Sequence, residues 1–340
     1  MNLFKNLVKT GKDHVGIDIG SNSVKAVELF QEKESFRIKN IGYAKFKKPN
    51  SGESAIEAIK ESSAMAKIAQ GRDVNIAVAG SSVIVRFIEL PRMNEDELRN
   101  AIIFEAEKYI PFSVNEVIVD HQLLIPHLGD NKMLVLLIAA KKDIINERLE
   151  LVNQAGLSAN ILDVASLANI NAFLTTAKRN KSEIAAIINI GAKATDISII
   201  CEEVLYFTRS IQVGGDDLTK SLMESPSLSY KDAEDLKINP KDKTAEVTEK
   251  TKAVLRTIVD EIRLSFSYYE NQSGRNIEKV YLSGGAAKSN NICQIMKENL
   301  DIEAVLWDPT AFMIPDPSAD NQLVNSLKYQ MGTAIGLALR

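Results

Sequence analysis

The sequence predicts an α/β protein of two related domains, because one pattern of strands and glycine turns occurs twice along the chain. In the first copy an apolar run over 15–19 ends at Gly20, and a second apolar run follows three small or polar residues later. The second copy begins near residue 184, reads IAAIINIGAKATDISII, and has Ile190 and Gly191 where Ile19 and Gly20 stand in the first. Such internal similarity indicates a duplication, so we expect two domains that face each other.

A block with its own order of elements lies between the two copies, and we expect it to be an insertion in the first domain. Val83–Pro91 is strand-like, and Asn94 with Glu97 three residues later has the pattern of a capping box. Apolar residues then recur at helical spacing until Pro111. Two further strands and a helix complete the block, over 116–125, 133–140 and 143–154.

The second half of the chain continues the α/β pattern. A helix should begin at the GGDDLTK string, and a long amphipathic helix is predicted over 254–269. The polar stretch 225–250 has few apolar anchors, so we expect loops or mobile helices there. The small residues of the final MGTAIGLALR string favour a closely packed core helix. The expected boundaries are 1–80 and 161–182 for the first domain, 81–160 for the insertion, 183–320 for the second domain, and 321–340 for a C-terminal helix that packs back on the first.

Composition excludes several classes of protein. With 340 residues and 45% apolar content, the chain can form two well-cored domains, and a disordered class is excluded. The 41 Lys and Arg residues are balanced by 45 Asp and Glu residues and form no basic stripe, so we expect no nucleic-acid partner. Cys201 and Cys293 have no Cys or His neighbour at metal-ligand spacing, which favours a reducing compartment.

The first residues do not have the pattern of an export signal. Leu3, Phe4, Leu7 and Val8 stand among lysines, without a continuous apolar core or a small-residue cleavage site. No stretch of about 20 apolar residues is present for a spanning helix. We therefore expect a cytoplasmic protein that reaches a membrane only through partners, with both a packed terminal turn and a weak lipid contact open for the N-terminal segment.

Four glycine-containing turns are candidates for one phosphate-binding site, because glycine lets backbone N–H groups approach a phosphate closely. Neither the Walker string nor the Rossmann string is present. Each turn alone is more often part of an ordinary hairpin, and only their order and duplication favour a common site. The four turns are Asp18-Ile19-Gly20-Ser21-Asn22-Ser23, Asn189-Ile190-Gly191-Ala192, Gly214-Gly215-Asp216 and Ser283-Gly284-Gly285-Ala286.

This order of turns resembles the superfamily of actin, sugar kinases and heat-shock ATPases, and the resemblance covers nearly the whole chain. Within that superfamily, three strings look like the PilM family of type IV pilus assembly proteins, which is similar to the division protein FtsA. These strings are IELPRMNEDELRNAI, EAEKYIPFSVNEVIVD and FTRSIQVGGDDLT. The implied fold is a two-domain actin-like fold, a duplicated RNase H-like α/β architecture, with an inserted FtsA-type α+β subdomain.

The resemblance also implies ligands and partners. It implies ATP and Mg²⁺ between the domains and a groove for the cytoplasmic N-terminal segment of PilN, a membrane-anchored pilus protein, at the inner membrane with other pilus assembly proteins. Lys237 would lie near the nucleoside, although a solvated surface lysine is an equal alternative. Asp18 would hold Mg²⁺ through water. The implied nucleotide-binding residues are Asp18, Gly20, Ser21, Asn22, Ser23, Lys25, Asn189, Gly191, Thr195, Gly214, Gly215, Asp216, Lys237, Ser283, Gly284 and Gly285.

One residue departs from the pattern of the hydrolysing members. Asn189 stands where those members have an acidic residue, and it is the counterpart of Asp18 in the duplication. An amide can orient a water molecule but cannot accept its proton, and general-base help is typically worth about 10² to 10⁴ in rate. We therefore expect ATP binding with weak or absent hydrolysis, in which ATP stabilises the closed arrangement of the domains.

The inserted block contains apolar side chains that suit the capture of an extended peptide. The same side chains could instead fill the core of the block itself. They are Phe87, Ile103, Phe104, Tyr109, Ile110 and Phe112.

Two other functions remain open. A small-molecule kinase of the same fold would need a carboxylate base and sugar-binding groups in the cleft. An FtsA-like division protein would polymerise on a membrane, and self-association is therefore possible.

Overall fold

The computed structural model describes residues 13–32, 35–49, 51–223, 228–317 and 319–340. The predicted apolar residues Leu3, Phe4, Leu7 and Val8 lie outside this part of the chain. The strands are β1 (Asp13–Ile19), β2 (Ser23–Glu32), β3 (Ser35–Lys45), β4 (Asp73–Val78), β5 (Val83–Pro91), β6 (Val117–Ile125), β7 (Lys132–Lys141), β8 (Ser158–Val164), β9 (Ala185–Ile190), β10 (Thr195–Cys201), β11 (Val204–Ile211), β12 (Lys279–Ser283), β13 (Glu303–Leu306) and β14 (Ile314–Pro315). The helices are α1 (Gly52–Met65), α2 (Glu95–Ala106), α3 (Lys142–Gln154), α4 (Ala165–Thr176), α5 (Gly215–Met223), α6 (Tyr230–Ile238), α7 (Thr244–Ser273), α8 (Ile292–Leu300), α9 (Asn321–Leu327) and α10 (Gly332–Ala338).

The first domain is a mixed sheet in the order β14-β3-β2-β1-β4-β8. The chain forms β1, β2 and β3 as successive antiparallel strands, and β4 and β8 extend the sheet in parallel. Alternate residues of β1 point into a core that α1 covers, since Val15, Ile17 and Ile19 are buried there. The carboxyl ends of the parallel strands β1 and β4 therefore lie at one edge of the sheet, which is where open α/β sheets commonly bind ligands.

The last helix packs on this first domain. A Cβ atom on Gly16 of β1 would lie 2.1 Å from the carbonyl oxygen of Ala334, and one on Gly336 would lie 1.7 Å from that of Ala168 in α4. Only glycine fits at such distances, so the small residues of α10 let its backbone contact β1 and α4 directly.

The second domain is a sheet in the order β11-β10-β9-β12-β13, in which β9, β10 and β11 are antiparallel and β12 and β13 are parallel additions. The 30-residue helix α7 covers one face and buries Leu255, Ile258 and Ile262 against the strands. The stretch 225–250 was predicted to be loops or mobile helices. Where the structure describes it, α6 and the start of α7 are helical, and Ala233 and Val247 supply the buried anchors.

The insertion is a three-stranded antiparallel sheet in the order β5-β7-β6, and we call residues 83–141 the inserted module. Its helix α2 begins with the predicted capping box, since the Asn94 and Glu97 side chains each accept a hydrogen bond of 2.9 Å from the other residue's backbone. The helix ends at Ala106, before the predicted end near Pro111.

In the structure, the insertion ends earlier in the chain than predicted. The predicted block extended to residue 160, but β8 pairs with β4 of the first domain's sheet, and Val152 of α3 is buried in the core of the first domain. A helix that follows a strand can pack on either neighbour, and its sequence alone does not show which. The helix α3 therefore joins the inserted module to the first domain.

Candidate functional site

The first glycine turn joins β1 to β2 at the carboxyl end of β1. The Gly20 N–H donates to the Ser23 carbonyl oxygen at 3.0 Å, which closes the turn. Asp18 and Lys25 lie opposite each other across the two strands, and their side chains form an ion pair of 3.1 Å. Both side chains are largely buried, at 16% and 12% exposure, whereas Ser21 at the tip of the turn is exposed. The hairpin thus holds the Lys25 ammonium beside the Asp18 carboxylate.

An arginine from α3 reaches the same strand end. Arg148 donates from Nη1 to the Ile19 carbonyl oxygen at 3.0 Å. Burial lowers the pKa of this guanidinium, and the nearby carboxylate of Asp18 opposes that shift. Since arginine stays protonated in proteins, the first half of the site holds two cations around one carboxylate.

The second glycine turn has the same geometry with different side chains. The Gly191 N–H donates to the Ala194 carbonyl oxygen at 2.9 Å. Asn189 lies opposite Asp196 across β9 and β10, and its Nδ2 donates to Asp196 Oδ2 at 3.2 Å. Burial raises the pKa of the Asp196 carboxyl, hydrogen bonds from Ser210 and Asn189 oppose this, and the charge of Asp18 adds to it. The two turns therefore place Asp18 and Asp196 within electrostatic reach of each other.

The third turn is locked onto the second. The N–H groups of Gly215 and Asp216 donate to the carbonyl oxygens of Gly191 and Ala192 at 2.9 and 2.8 Å. A Cβ atom on Gly214 would lie 2.6 Å from the Ala192 carbonyl oxygen, so this contact requires glycine. These bonds fix the amino end of α5 next to the second turn. Thr195 is buried and donates to the Val213 carbonyl oxygen at 2.8 Å, which holds the chain that enters α5.

Lys237 lies at the same place but is not solvated, so the surface alternative is wrong. Its side chain is only 4% exposed. The ammonium donates to the Gly215 carbonyl oxygen at 3.1 Å and to Thr219 Oγ1 at 2.9 Å, and it pairs with the Glu234 carboxylate. Lys237 therefore connects α6 to the amino-terminal half of α5.

The fourth turn follows β12 and leads into a short 3₁₀ helix (Gly285–Lys288). Gly284 has a φ of +96°, and a Cβ atom there would lie 2.3 Å from the Ile190 carbonyl oxygen and 2.7 Å from Asn189 Oδ1. The Ser283 hydroxyl is buried and makes no hydrogen bond with any residue that the structure describes. This turn thus contacts the end of β9, whereas Gly285 beside it is exposed.

Hydrogen bonds across the cleft join the two domains. Asn22 of the first turn donates from Nδ2 to Asp216 Oδ1 at 2.7 Å and to the Tyr230 hydroxyl at 3.3 Å. Within the second domain, the Tyr230 hydroxyl donates to the same Asp216 oxygen at 2.8 Å. Partial burial and the Asp216 carboxylate raise the pKa of Tyr230, so its hydroxyl remains a donor over a wide pH range. All four predicted turns therefore meet in one cleft.

The sequence analysis missed three residues of this cleft. Asp196 had a signal, because it follows Asn189 at the same seven-residue spacing as Lys25 follows Asp18. Arg148 and Tyr230 lie outside the glycine turns, and only tertiary packing brings them to the site.

The donor set fits a nucleoside triphosphate and a magnesium ion. Lys25 and Arg148 supply positive charge for the phosphates at the carboxyl end of β1. Within the described ranges, no group of three or more His, Cys, Asp or Glu side chains could hold a metal ion by itself. That is compatible with Mg²⁺, which is usually bound through one or two carboxylates, waters and phosphates.

The predicted partner residues do not form a single surface. Ile103, Phe104 and Tyr109 are exposed by 50%, 72% and 39% on the outside of the inserted module. Ile110 is buried in the module's core and Phe112 packs against that core, which contradicts an exposed role for Ile110. Phe87 lies on the opposite face of the sheet, which packs towards α4 and β11. Alternation of side chains along β5 explains the position of Phe87, since its neighbour Ile88 faces the module's core.

The described helices include none that could cross a lipid bilayer, because none is both long and apolar enough.

Comparison with solved structures identifies proteins of the same fold. The solved structure titled "PilM-PilN type IV pilus biogenesis complex" has a TM-score of 0.85 and 24% identity, and the match covers 97% of this chain and 98% of that one. MreB5 of Spiroplasma citri bound to ADP has a TM-score of 0.50 and 14% identity, over 88% and 92% of the two chains. These likenesses confirm the predicted two-domain actin-like fold.

A curated relative has the same level of sequence identity. The cell division protein FtsA of Enterococcus faecalis is 24% identical over 377 aligned residues, which cover 95% of this chain and 84% of that protein. Residues 16–340 match the family model described as type IV pilus assembly protein PilM. Because that model spans nearly the whole chain, this protein belongs to the PilM family of type IV pilus assembly proteins.

Proposed function

We propose that this protein binds ATP and Mg²⁺ between its two domains and serves as a scaffold that recruits the cytoplasmic N-terminal segment of a PilN-type membrane protein. The convergence of four glycine turns on one cleft is the observation that carries the nucleotide proposal. Membership of the PilM family and the fold shared with a solved PilM–PilN complex support the partner proposal.

The residues that would hold the nucleotide divide by domain. Lys25 and the first turn would face the phosphates, and Asp18 would hold Mg²⁺ through water. Gly191 and the amino end of α5 would face the phosphates from the other side, where the helix dipole favours negative charge. The turn at Gly284 would lie under the base. Bound ATP supplies the negative charge that these groups attract from both sides.

We propose that ATP is held and not rapidly hydrolysed. Asn189 cannot accept a proton, and the Asp196 carboxyl accepts hydrogen bonds from Asn189 and Ser210. Any slow hydrolysis would then depend on Asp196. In this proposal ATP joins the two domains, in addition to the hydrogen bond between Asn22 and Asp216.

The proposed partner surface is the outer side of the inserted module. Phe104 is the most exposed large apolar side chain there, beside Ile103 and Tyr109. The edge strand β6 borders this surface, and an edge strand can pair with an extended peptide through its free backbone groups. Binding a membrane-anchored partner here would hold the protein at the cytoplasmic face of the inner membrane.

Calorimetric titration tests both parts of this proposal. We expect the wild type to bind ATP in the presence of Mg²⁺, and to bind a synthetic peptide of the N-terminal segment of the PilN-type protein from the same organism. Phe104→Ser should weaken peptide binding by about 10-fold or more without changing ATP affinity, because a truncated aromatic anchor typically costs more than 1 kcal/mol.

Leu264→Ser is the matched control. Leu264 is 61% exposed on α7 of the second domain, so its replacement should leave peptide affinity unchanged. Undetectable ATP binding would refute the nucleotide proposal. Equal losses in both variants, or none, would refute the assignment of the surface. Rapid transfer of phosphate from ATP to sugars would favour a kinase. Sedimentation of the protein with ATP in the absence of peptide would favour an FtsA-like polymer.

A further inference from the structure

We propose that Arg148 binds the terminal phosphate of the nucleotide and couples nucleotide binding to the inserted module. This inference rests on the proposed ATP site and goes beyond it. Arg148 lies on α3, which begins at Lys142 directly after β7 of the module ends at Lys141. The residue thus belongs to a helix that contacts both the end of β1 in the cleft and the module's central strand.

The position of the guanidinium fits a phosphate ligand. Its bond to the Ile19 carbonyl oxygen places it at the carboxyl end of β1, one residue from Asp18 and one from Gly20 of the first turn. The parallel pair β1 and β4 ends at this edge, where ligands of open α/β sheets bind. Arg148 therefore approaches the first turn from the side of α3, whereas Lys25 approaches it from β2.

The hydrogen bonds of Arg148 leave capacity for a ligand. A guanidinium carries five N–H donors, and among the described residues the one hydrogen bond that Arg148 makes is to Ile19. Asp18, the nearby carboxylate, is already paired with Lys25. A largely desolvated guanidinium that is incompletely paired gains most from an anion with several oxygens, such as a terminal phosphate.

A packed residue links Arg148 to the module. Ile145, three positions earlier on α3, is buried in a cluster with Val78 at the end of β4 and Ala140 at the end of β7. Residues three apart lie on the same side of a helix. A ligand that fixes Arg148 would therefore also fix the contact of α3 with the module strand, and coupling between the two sites must act in both directions.

The test compares Arg148→Gln and Arg148→Lys with wild type in calorimetric titrations of ATP and ADP in the presence of Mg²⁺. Since ADP lacks the terminal phosphate, we expect Arg148→Gln to weaken ATP binding at least 10-fold and ADP binding less than 3-fold. Arg148→Lys keeps the charge but loses the planar fork, so its preference for ATP over ADP should fall at least 3-fold. Arg256→Gln, at an exposed arginine on α7, should change neither affinity.

Titration of the same peptide with and without ATP tests the coupling. ATP should raise the peptide affinity of the wild type, and this increase should disappear in Arg148→Gln while affinity without nucleotide stays unchanged. If the wild type binds no ATP, the proposed function fails. If the wild type binds ATP, the inference alone is overturned by either of two results. Arg148→Gln could lose ATP and ADP affinity equally, or it could keep the ATP-dependent increase in peptide affinity. Should Arg148→Gln not fold by circular dichroism, an unchanged ATP preference in Arg148→Lys overturns it.

Discussion

The two hairpins of the duplication have the same backbone geometry but differ in the charges of their facing side chains. At equivalent register positions, Asp18 faces Lys25 in the first hairpin and Asn189 faces Asp196 in the second. The first pair is an ion pair of 3.1 Å, and the second is an amide-to-carboxylate hydrogen bond of 3.2 Å. Each turn is closed by the same type of backbone bond from a glycine, at 3.0 and 2.9 Å.

The difference shows how one fold can build an asymmetric site from a repeated unit. With Arg148 beside it, the first hairpin carries the positive charge that attracts phosphates. The second hairpin carries the Asp196 carboxylate opposite an uncharged amide, with Lys193 in its turn, and the amino end of α5 beside it adds the positive end of a helix dipole. We infer that the first domain supplies the charge for binding and that the second supplies the close backbone approach. Three substitutions test this division.

Gly284→Ala should have the largest effect, because it breaks the contact between the fourth turn and the second hairpin. The new Cβ atom would meet the Ile190 carbonyl oxygen at 2.3 Å, in a backbone conformation that already disfavours a side chain. We expect a loss of about 3 kcal/mol in the free energy of unfolding and loss of ATP binding. Urea unfolding and calorimetry measure these two quantities.

Gly80→Ala is the matched control for backbone strain. Gly80 has almost the same φ, +95°, and no heavy atom lies within 4 Å of a Cβ built there. We expect a loss of only about 1 kcal/mol and unchanged ATP affinity. Equal losses in both variants would show that strain alone, and not close approach to the second hairpin, explains the need for glycine at position 284.

Lys25→Gln removes the positive charge of the first hairpin and leaves Asp18 without its ion-pair partner. We expect ATP affinity to fall about 30-fold, since loss of one partner of a desolvated charged contact typically costs about 2 kcal/mol or more. Titration calorimetry with ATP and Mg²⁺ measures this change.

The control substitution is Lys39→Gln. Lys39 pairs with Asp13 at 2.8 Å on the same sheet, but at the amino end of β1 and away from the cleft. ATP affinity should not change in this variant. A wild-type affinity in Lys25→Gln would contradict the assignment of phosphate attraction to the first hairpin.

The sequence predicted the fold well because its signals are local. Glycine turns between apolar runs and the capping box at Asn94 depend on neighbours a few residues away. The signals failed where tertiary packing decides the outcome. A buried lysine such as Lys237 has no sequence signature, and both a partner-binding and a core role were open for Ile110 because periodicity does not show which side of an element is covered.

Charge within the cleft was the hardest property to predict. The duplication drew attention to Asn189, yet the carboxylate that faces it is on the next strand. Arg148 comes from a helix that follows the inserted module, over 100 residues from the first turn along the chain. Only strand pairing and helix packing bring such groups together, so the sequence indicated the location of the site but not its electrostatics.

Asp196→Asn should have the smallest effect, and it separates the second hairpin from the first by its pH dependence. Burial raises the pKa of the Asp196 carboxyl above its value of about 3.9 in the unfolded chain. The native state therefore binds this proton more tightly than the unfolded state does, and the ionised carboxylate destabilises the fold as pH rises between the two pKa values. Replacement by the neutral amide should stabilise the protein by about 1 kcal/mol at pH 7.

The sign of this effect distinguishes a desolvated carboxylate from a stabilising one. As pH falls, more of the native carboxyl is protonated, so the gain from Asp196→Asn should be smaller at pH 4 than at pH 7, as measured by urea unfolding at both pH values. Asp73→Asn, at an exposed position at the start of β4, should show no such trend. If Asp196→Asn instead destabilised the protein at pH 7, its hydrogen bonds with Asn189 and Ser210 would outweigh desolvation. The second hairpin would then resemble the first, as a fully compensated pair.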